Sequence, residues 1–141
     1  MSGRGRVAFA VPAEAAFDYL ADPRNRPAWQ SSLTRVDDVD GEPRVGQRWT
    51  DVTRPGLRPV METTELDRPR RWSEQGTWRA FSARLTLTFR PTGADSCEVD
   101  FEFAVAGAGP RAPVGAVLTR LAVPAVAADL RRAARILGTA R

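Results

Sequence analysis

The chain of 141 residues contains no histidine, no lysine and a single cysteine, Cys97. Each absence removes a class of chemistry. Without His there is no imidazole base, no Ser-His-Asp triad and no imidazole metal ligand. Without Lys there is no Schiff base and no phosphate-loop lysine. A lone Cys97 makes neither an internal disulfide nor a thiolate metal site, so no metal and no cofactor is expected. The core must then supply the stability, which suits a reducing cytoplasm. The acid/base inventory reduces to carboxylates, Tyr19 and Cys97. Tyr19, on a flank of a helix, and Cys97, opening a strand after a turn, read as structural. The Gly107-Ala-Gly109-Pro110 stretch reads as a loop and not as a phosphate cradle, since no Gly-Lys-Ser/Thr follows.

All 21 basic residues are Arg, and the formal net charge is +4. Ala, Gly, Pro, Val and Arg dominate, the imprint of a GC-rich genome. The arginines are scattered over different segments, as with Arg24, Arg48, Arg68, Arg84, Arg111 and Arg132. A basic face for nucleic acid or anionic lipid is therefore not expected, although Arg120, Arg131, Arg132 and Arg135 share the last segment. Val7 to Val11 is too short for a signal-peptide core. Ala112 to Ala128 is broken by Arg120, and stable membrane insertion is not expected. Hydrophobic residues at 43% and charged residues at 27% fit one ordinary globular domain over 1–141, as monomer or homodimer.

Arg6 to Val11 reads as a strand. Pro12 and Glu14 suit a helix start, and Ala13, Ala16, Phe17 and Leu20 give one apolar face. Asp22-Pro23 ends that helix, and Pro23 to Trp29 forms a second short one interrupted by Pro27. From Leu33 to Val105 the period becomes alternating, punctuated by Gly41, Pro55-Gly56, Pro69 and Gly93. Six strands follow, near 32–40, 47–54, 59–66, 71–79, 82–90 and 97–106, joined as consecutive antiparallel neighbours. Leu85, Leu87 and Phe89 share one face of their strand, and Val99, Phe101, Phe103 and Val105 one face of the next. A long helix then runs to about Leu137. Val114, Val117, Leu118 and Leu121 form one apolar stripe, and Val126, Leu130, Ala133, Ala134 and Leu137 another, with Pro124 marking a kink between them. This α+β order leaves one apolar sheet face, which only the last helix is large enough to cover.

Three segments now carry a family likeness: Val11-Pro-Ala-Glu-Ala-Ala-Phe-Asp-Tyr-Leu-Ala-Asp-Pro23 with Pro27-Ala-Trp29, Val45-Gly-Gln-Arg-Trp49, and the Leu66-Asp-Arg-Pro-Arg-Arg-Trp72 turn. The chain resembles the START-like (SRPBCC) superfamily, in particular its bacterial polyketide cyclase/dehydrase-type members. The resemblance implies a helix-grip fold, a seven-stranded antiparallel sheet wrapped around a long C-terminal helix, with two short helices between strands 1 and 2 and an internal hydrophobic cavity. Lipid carriers, hormone receptors, aromatase/cyclases and co-chaperones share that fold, and no motif here selects among them.

If Leu66 faces Trp72 across its turn, then Thr64 faces Glu74, Glu62 faces Gly76 and Val60 faces Trp78. Glu62, Thr64 and Glu74 would then point inward among aromatics. Inward carboxylates are costly unless paired. Three readings stay open: they line a wet pocket and fix a ligand's polar end, they pair with an inward Arg such as Arg48, or the register slips by one and they face solvent. Only one of Arg48 and Trp49 can point inward. Trp29, by the family position, sits near the cavity mouth, and Trp78 with Phe81 forms a second lip. A Trp in a small domain is nevertheless more often core than ligand platform. The candidate ligand-binding set is thus Trp29, Arg48, Trp49, Glu62, Thr64, Glu74, Trp78, Phe81, Leu85, Leu87, Leu118 and Leu121.

The leading expectation is a binder of a hydrophobic or aromatic, lipid- or polyketide-like small molecule. The alternative is a polyketide aromatase/cyclase or dehydratase with Glu74 or Glu62 as base and Arg48 polarising an oxygen.

Overall fold

The computed structural model describes residues 2–139. The chain runs β1 (Gly3–Phe9), α1 (Ala13–Ala21), a 3-10 turn (Pro23–Asn25), α2 (Arg26–Trp29), β2 (Leu33–Asp37), β3 (Arg48–Thr53), β4 (Val60–Asp67), β5 (Arg71–Trp78), β6 (Phe81–Gly93), β7 (Ser96–Gly107) and α3 (Ala112–Thr139), with a further 3-10 turn before α3. The strands form one seven-stranded antiparallel sheet in the order β1-β7-β6-β5-β4-β3-β2. This is the helix-grip arrangement. Consecutive strands pair because their connections are short, and β1 closes on β7 at the other edge. Strand β2 stops earlier than its alternation suggests, because Asp38 and Gly41 adopt left-handed backbone conformations (φ 55° and 63°) that turn the chain out of the sheet.

The alternation in β6 and β7 is as expected: Leu85, Leu87, Phe89, Val99 and Phe101 are buried on one face. Phe17 of α1 packs on Phe89, with ring centroids 5.1 Å apart. Leu130 and Ala133 of α3 are fully buried in the same core.

Two expected orientations are corrected. The first lies in β4. Leu66 does pair with Trp72, but Thr64 bulges out of the ladder between Glu65 and Thr63, so Thr63 pairs with Glu74, Glu62 with Gln75, Met61 with Gly76 and Val60 with Thr77. A bulge inserts one unpaired residue, and every residue beyond it changes face. Met61 and Thr63 are therefore buried, while Thr64 and Val60 are exposed and Glu62 half-exposed on the outer face. On β3 the ambiguity resolves with Trp49 inward and Arg48 outward, where Arg48 meets Glu62 at 3.1 Å.

The second correction concerns the first half of α3. Val114, Val117, Leu118 and Leu121 do not cover the sheet; all four are exposed, Leu121 by 70%. The buried positions of this half are Gly115 and Thr119. The helix lies so close to β7 that a Cβ on Gly115 would stand 2.8 Å from the Val105 carbonyl oxygen. Among the described residues, β1 ends its pairing opposite Phe103 and gives Val105 no strand partner on that edge. The Val105 N–H donates instead to the Thr119 hydroxyl at 2.9 Å. Close approach favours small residues, which displaces the large apolar ones to the flanks. The helix continues through Pro124. By length and composition α3 could cross a bilayer, but its Leu130 and Ala133 side is committed to the core.

Candidate functional site

Asp22 starts the 3-10 turn by accepting a hydrogen bond from the Arg24 N–H at 3.0 Å, and Pro23 and Pro27 hold the short helical turns that follow. This local geometry places Arg26 at the first position of α2 and sends its side chain onto the concave face of the sheet. There it is 2% exposed. On β3, Trp49 faces inward, so by the strand's two-residue period Asp51 does too. On β5, Trp72 faces inward, and so do Glu74 and Gly76.

The three charged groups meet. Arg26 Nε and Nη2 donate to the two oxygens of Asp51 at 3.1 and 2.7 Å, and Nη1 donates to Glu74 Oε2 at 2.7 Å. The indole N–H of Trp49 donates to Asp51 Oδ1 at 2.9 Å, and the guanidinium lies 5.1 Å from the Trp49 ring centroid. Gln30, one turn on from Arg26, brings its side-chain amide against both Nη atoms, and in the amide orientation that satisfies both groups its oxygen accepts from each at 3.2 Å.

The cluster carries one positive and two negative charges. Burial pushes the Glu74 carboxyl from 4.5 up to about 6, Arg26 pulls it down, and Asp51 adds to the rise. Burial also opposes the charge on Arg26, but Glu74 and Asp51 outweigh it and hold the guanidinium more firmly protonated than usual.

The cluster forms one end of a partly open cavity of about 260 Å³ between the sheet and the α2–β2 connection. Its walls are mostly apolar and include Leu33, Met61, Trp78, Phe81, Leu85 and Phe103. Gly76, directly across from Met61, leaves the space that the methionine fills, since a Cβ there would stand 2.6 Å from its sulfur. A larger recess of about 510 Å³ lies on the outer face over Arg4, Arg6, Asp100 and Glu102, but these charges already pair with one another there.

An antiparallel sheet, two short helices after its first strand and a long terminal helix together describe a known architecture, although among the described residues none from α3 lines the cavity. The family model for polyketide cyclase / dehydrase and lipid transport matches residues 2–140. The chain belongs to this family. Solved structures agree on the START-like fold. A protein of Mesorhizobium loti superposes with a TM-score of 0.79 at 16% identity, covering 100% of this chain and 99% of that one. A START superfamily protein from Mycobacterium smegmatis gives 0.75 at 16%, covering 96% and 98%. The di-domain aromatase/cyclase BexL, from the BE-7585A biosynthetic pathway, gives 0.74 at 20%, covering 94% of this chain and 44% of that one. Among curated proteins none matches.

Within this START-like frame, the structure gathers Glu74, Trp78, Phe81 and Leu85 of the expected residues around the cavity. Trp29, Trp49 and Leu87 are buried in the core instead; a fully buried side chain packs the wall from behind and offers no surface to a ligand. Arg48, Glu62 and Thr64 line a shallow recess on the outer face, because the Thr64 bulge reverses that half of β4. Glu62 is thereby removed as a candidate base, and Arg48 as its partner. Leu118 and Leu121 are displaced to the helix flank by the close approach at Gly115. Sequence reasoning missed Arg26, Gln30, Asp51, Met61 and Phe103 as lining residues. A signal existed for the polar trio: once Trp49 is inside, Asp51 must follow, and an inward carboxylate calls for a cation. Nothing in the sequence marked Arg26, in its proline-rich segment, as that cation.

Proposed function

We propose that this protein binds a small hydrophobic or aromatic molecule in the cavity, with the apolar body against Met61, Phe81, Leu85 and Phe103 and the polar end at Arg26, Asp51 and Glu74. One observation carries the reading: a cavity with apolar walls ends on a buried charge cluster. Ligand sites typically combine an apolar lining with a few placed polar groups, and span roughly 300–1,000 Å³, so a compact ligand fits here best. The fold neighbour norcoclaurine synthase of Thalictrum flavum, 13% identical with a TM-score of 0.73 over 100% of this chain and 88% of that one, was solved in complex with dopamine and hydroxybenzaldehyde, and such molecules illustrate the size class.

The test uses the neutral dye N-phenyl-1-naphthylamine, whose emission rises in apolar surroundings. Wild-type protein is expected to bind it with a Kd in the micromolar range, about −8 kcal/mol. An Ala83→Trp variant, which fills the cavity from β6, is expected to lose that binding while keeping a cooperative melt. Equal binding by both proteins would place the dye elsewhere and end the proposal.

A second reading, a cyclase or dehydratase, is favoured by the Glu74 carboxyl at about 6, close to working pH. A base so poised beside an apolar cavity can take a proton from carbon next to a carbonyl, and such help is worth about 10²–10⁴-fold in rate. Turnover of a polyketide-like substrate that survives Glu74→Gln at the wild-type rate rejects this assignment.

A further inference from the structure

We propose that the cavity selects ligands whose polar end is a hydrogen-bond donor, a protonated amine first and a hydroxyl or phenol second, and that it turns away carboxylates. The inference rests on the binding reading above and names the chemistry of the ligand for that site.

The argument is a count of what the cluster has left to offer. A guanidinium has five N–H donors and no acceptor. In Arg26, Nε is taken by Asp51 Oδ1, Nη2 reaches Asp51 Oδ2 and, at 3.4 Å, Glu74 Oε1, and Nη1 is taken by Glu74 Oε2. Gln30, in the amide orientation that satisfies both groups, presents its oxygen to both Nη atoms. The cation is thus enclosed by its own acceptors. The indole N–H of Trp49 is also spent, on Asp51.

The carboxylates are in the opposite condition. Each carboxylate oxygen can accept about two hydrogen bonds. Glu74 Oε2 receives one short bond and Oε1 only one long one. Asp51 Oδ2 receives one. Within the trio of Arg26, Asp51 and Glu74 the unused capacity is therefore acceptor capacity, and its formal charge is −1.

No other cation among the described residues lines this cavity. Arg54 and Arg79, next in sequence to the lining residues Thr53 and Trp78, are already engaged: Arg54 donates to the Ser31 carbonyl at 2.9 Å, and Arg79 stacks 4.7 Å from the centroid of Trp78. The remaining polar lining, such as Ser32, Thr53 and Ser82, is uncharged. An anion entering beside Met61 and Leu85 would face two carboxylates across apolar walls, where repulsion is weakly screened. A donor entering the same place meets open acceptors, and a charged donor also neutralises the excess charge.

The experiment keeps one aromatic body and changes the head. Naphthalene, 2-naphthol, 2-naphthylmethylamine and 2-naphthoate compete against the bound dye at pH 8, where Glu74 is ionised. The amine is expected to displace the dye at about tenfold lower concentration than naphthalene, naphthol to fall between them, and naphthoate to need about tenfold more, as charge-assisted bonds and a buried like charge predict. In Glu74→Gln the ratio of amine to naphthalene should collapse to within about threefold; in Glu62→Gln, on the outer face, the wild-type ratio should stand. Naphthoate binding as well as naphthalene, or a flat series, overturns the donor inference and leaves the binding reading intact. Failure of every probe, naphthalene included, overturns both.

Discussion

Arginine–glutamate pairs lie on both faces of the sheet, and one from each face shows the contrast. Arg26 and Glu74 meet at 2.7 Å with side chains 2% and 7% exposed, whereas Arg48 and Glu62 meet at 3.1 Å with side chains 68% and 39% exposed. The chemistry is the same and the setting differs. On the outer face, water screens the charges and the pair is worth little. On the inner face each charge is desolvated, so removing one partner strands the other. The buried pair also has a third member, Asp51, which leaves it with an excess charge that only the cavity can answer. The lesson is that a pair's effect follows from what surrounds it.

Four measurements can break or sharpen that contrast. The largest effect is expected from Arg26→Ala, which leaves Asp51 and Glu74 buried and unpaired; urea denaturation should show a loss of about 3–5 kcal/mol, or no folded protein. A loss below about 1 kcal/mol would equate the two faces.

Next comes the pH dependence of stability. The Glu74 carboxyl lies at about 6 in the folded protein against 4.5 for the free group. The folded state therefore holds this proton more tightly than the unfolded chain. Its stabilising contribution is complete below pH 4.5 and is lost as pH rises through 6, a change of about 2 kcal/mol. Denaturation of wild type and Glu74→Gln at pH 4.5 and pH 7.5 should show the wild type losing that much relative to the variant. Glu65 and Asp100, whose carboxyls are lowered chiefly by hydrogen bonds from Arg71 and Arg90, change in the opposite sense, and both proteins share them. Parallel curves would mean that Glu74 titrates like an exposed acid.

Smaller still is Glu74→Gln at pH 7. Gln keeps an acceptor for Arg26 and leaves the Arg26–Asp51 pair neutral, so stability should stay within about 1 kcal/mol of wild type. A loss as large as that of Arg26→Ala would show that the second negative charge is needed for folding. The smallest change is expected for Arg48→Ala or Glu62→Gln, within about 0.5 kcal/mol in thermal melts.

Much of this molecule was readable in advance. Element order, consecutive antiparallel pairing and the inner faces of β6 and β7 follow from period and punctuation, which depend on neighbouring residues only. Leu85, Phe89, Val99 and Phe101 were legible because their strands are long and regular. Glu74 was legible because no bulge separates it from the apolar Trp72 on its own strand. Glu62 and Thr64 were misread because a single bulge at Thr64 reverses the face of everything before it, and neither composition nor spacing marks that bulge. The flank of α3 was misread because large apolar side chains suggest burial, while the true contact at Gly115 and Thr119 is set by how closely a helix backbone can approach a strand edge.

Composition and local pattern alone thus determined the class of fold, the chemistry excluded by the missing His and Lys, and Glu74 as a candidate inward carboxylate on β5. The tertiary structure decided which cation answers that carboxylate, on which face Glu62 lies and where the cavity opens. Those outcomes depend on groups far apart in the chain, as Arg26, Asp51 and Glu74 are. Coulomb and hydrogen-bond energies between them become large only once the fold has brought them to about 3 Å and removed the water between them.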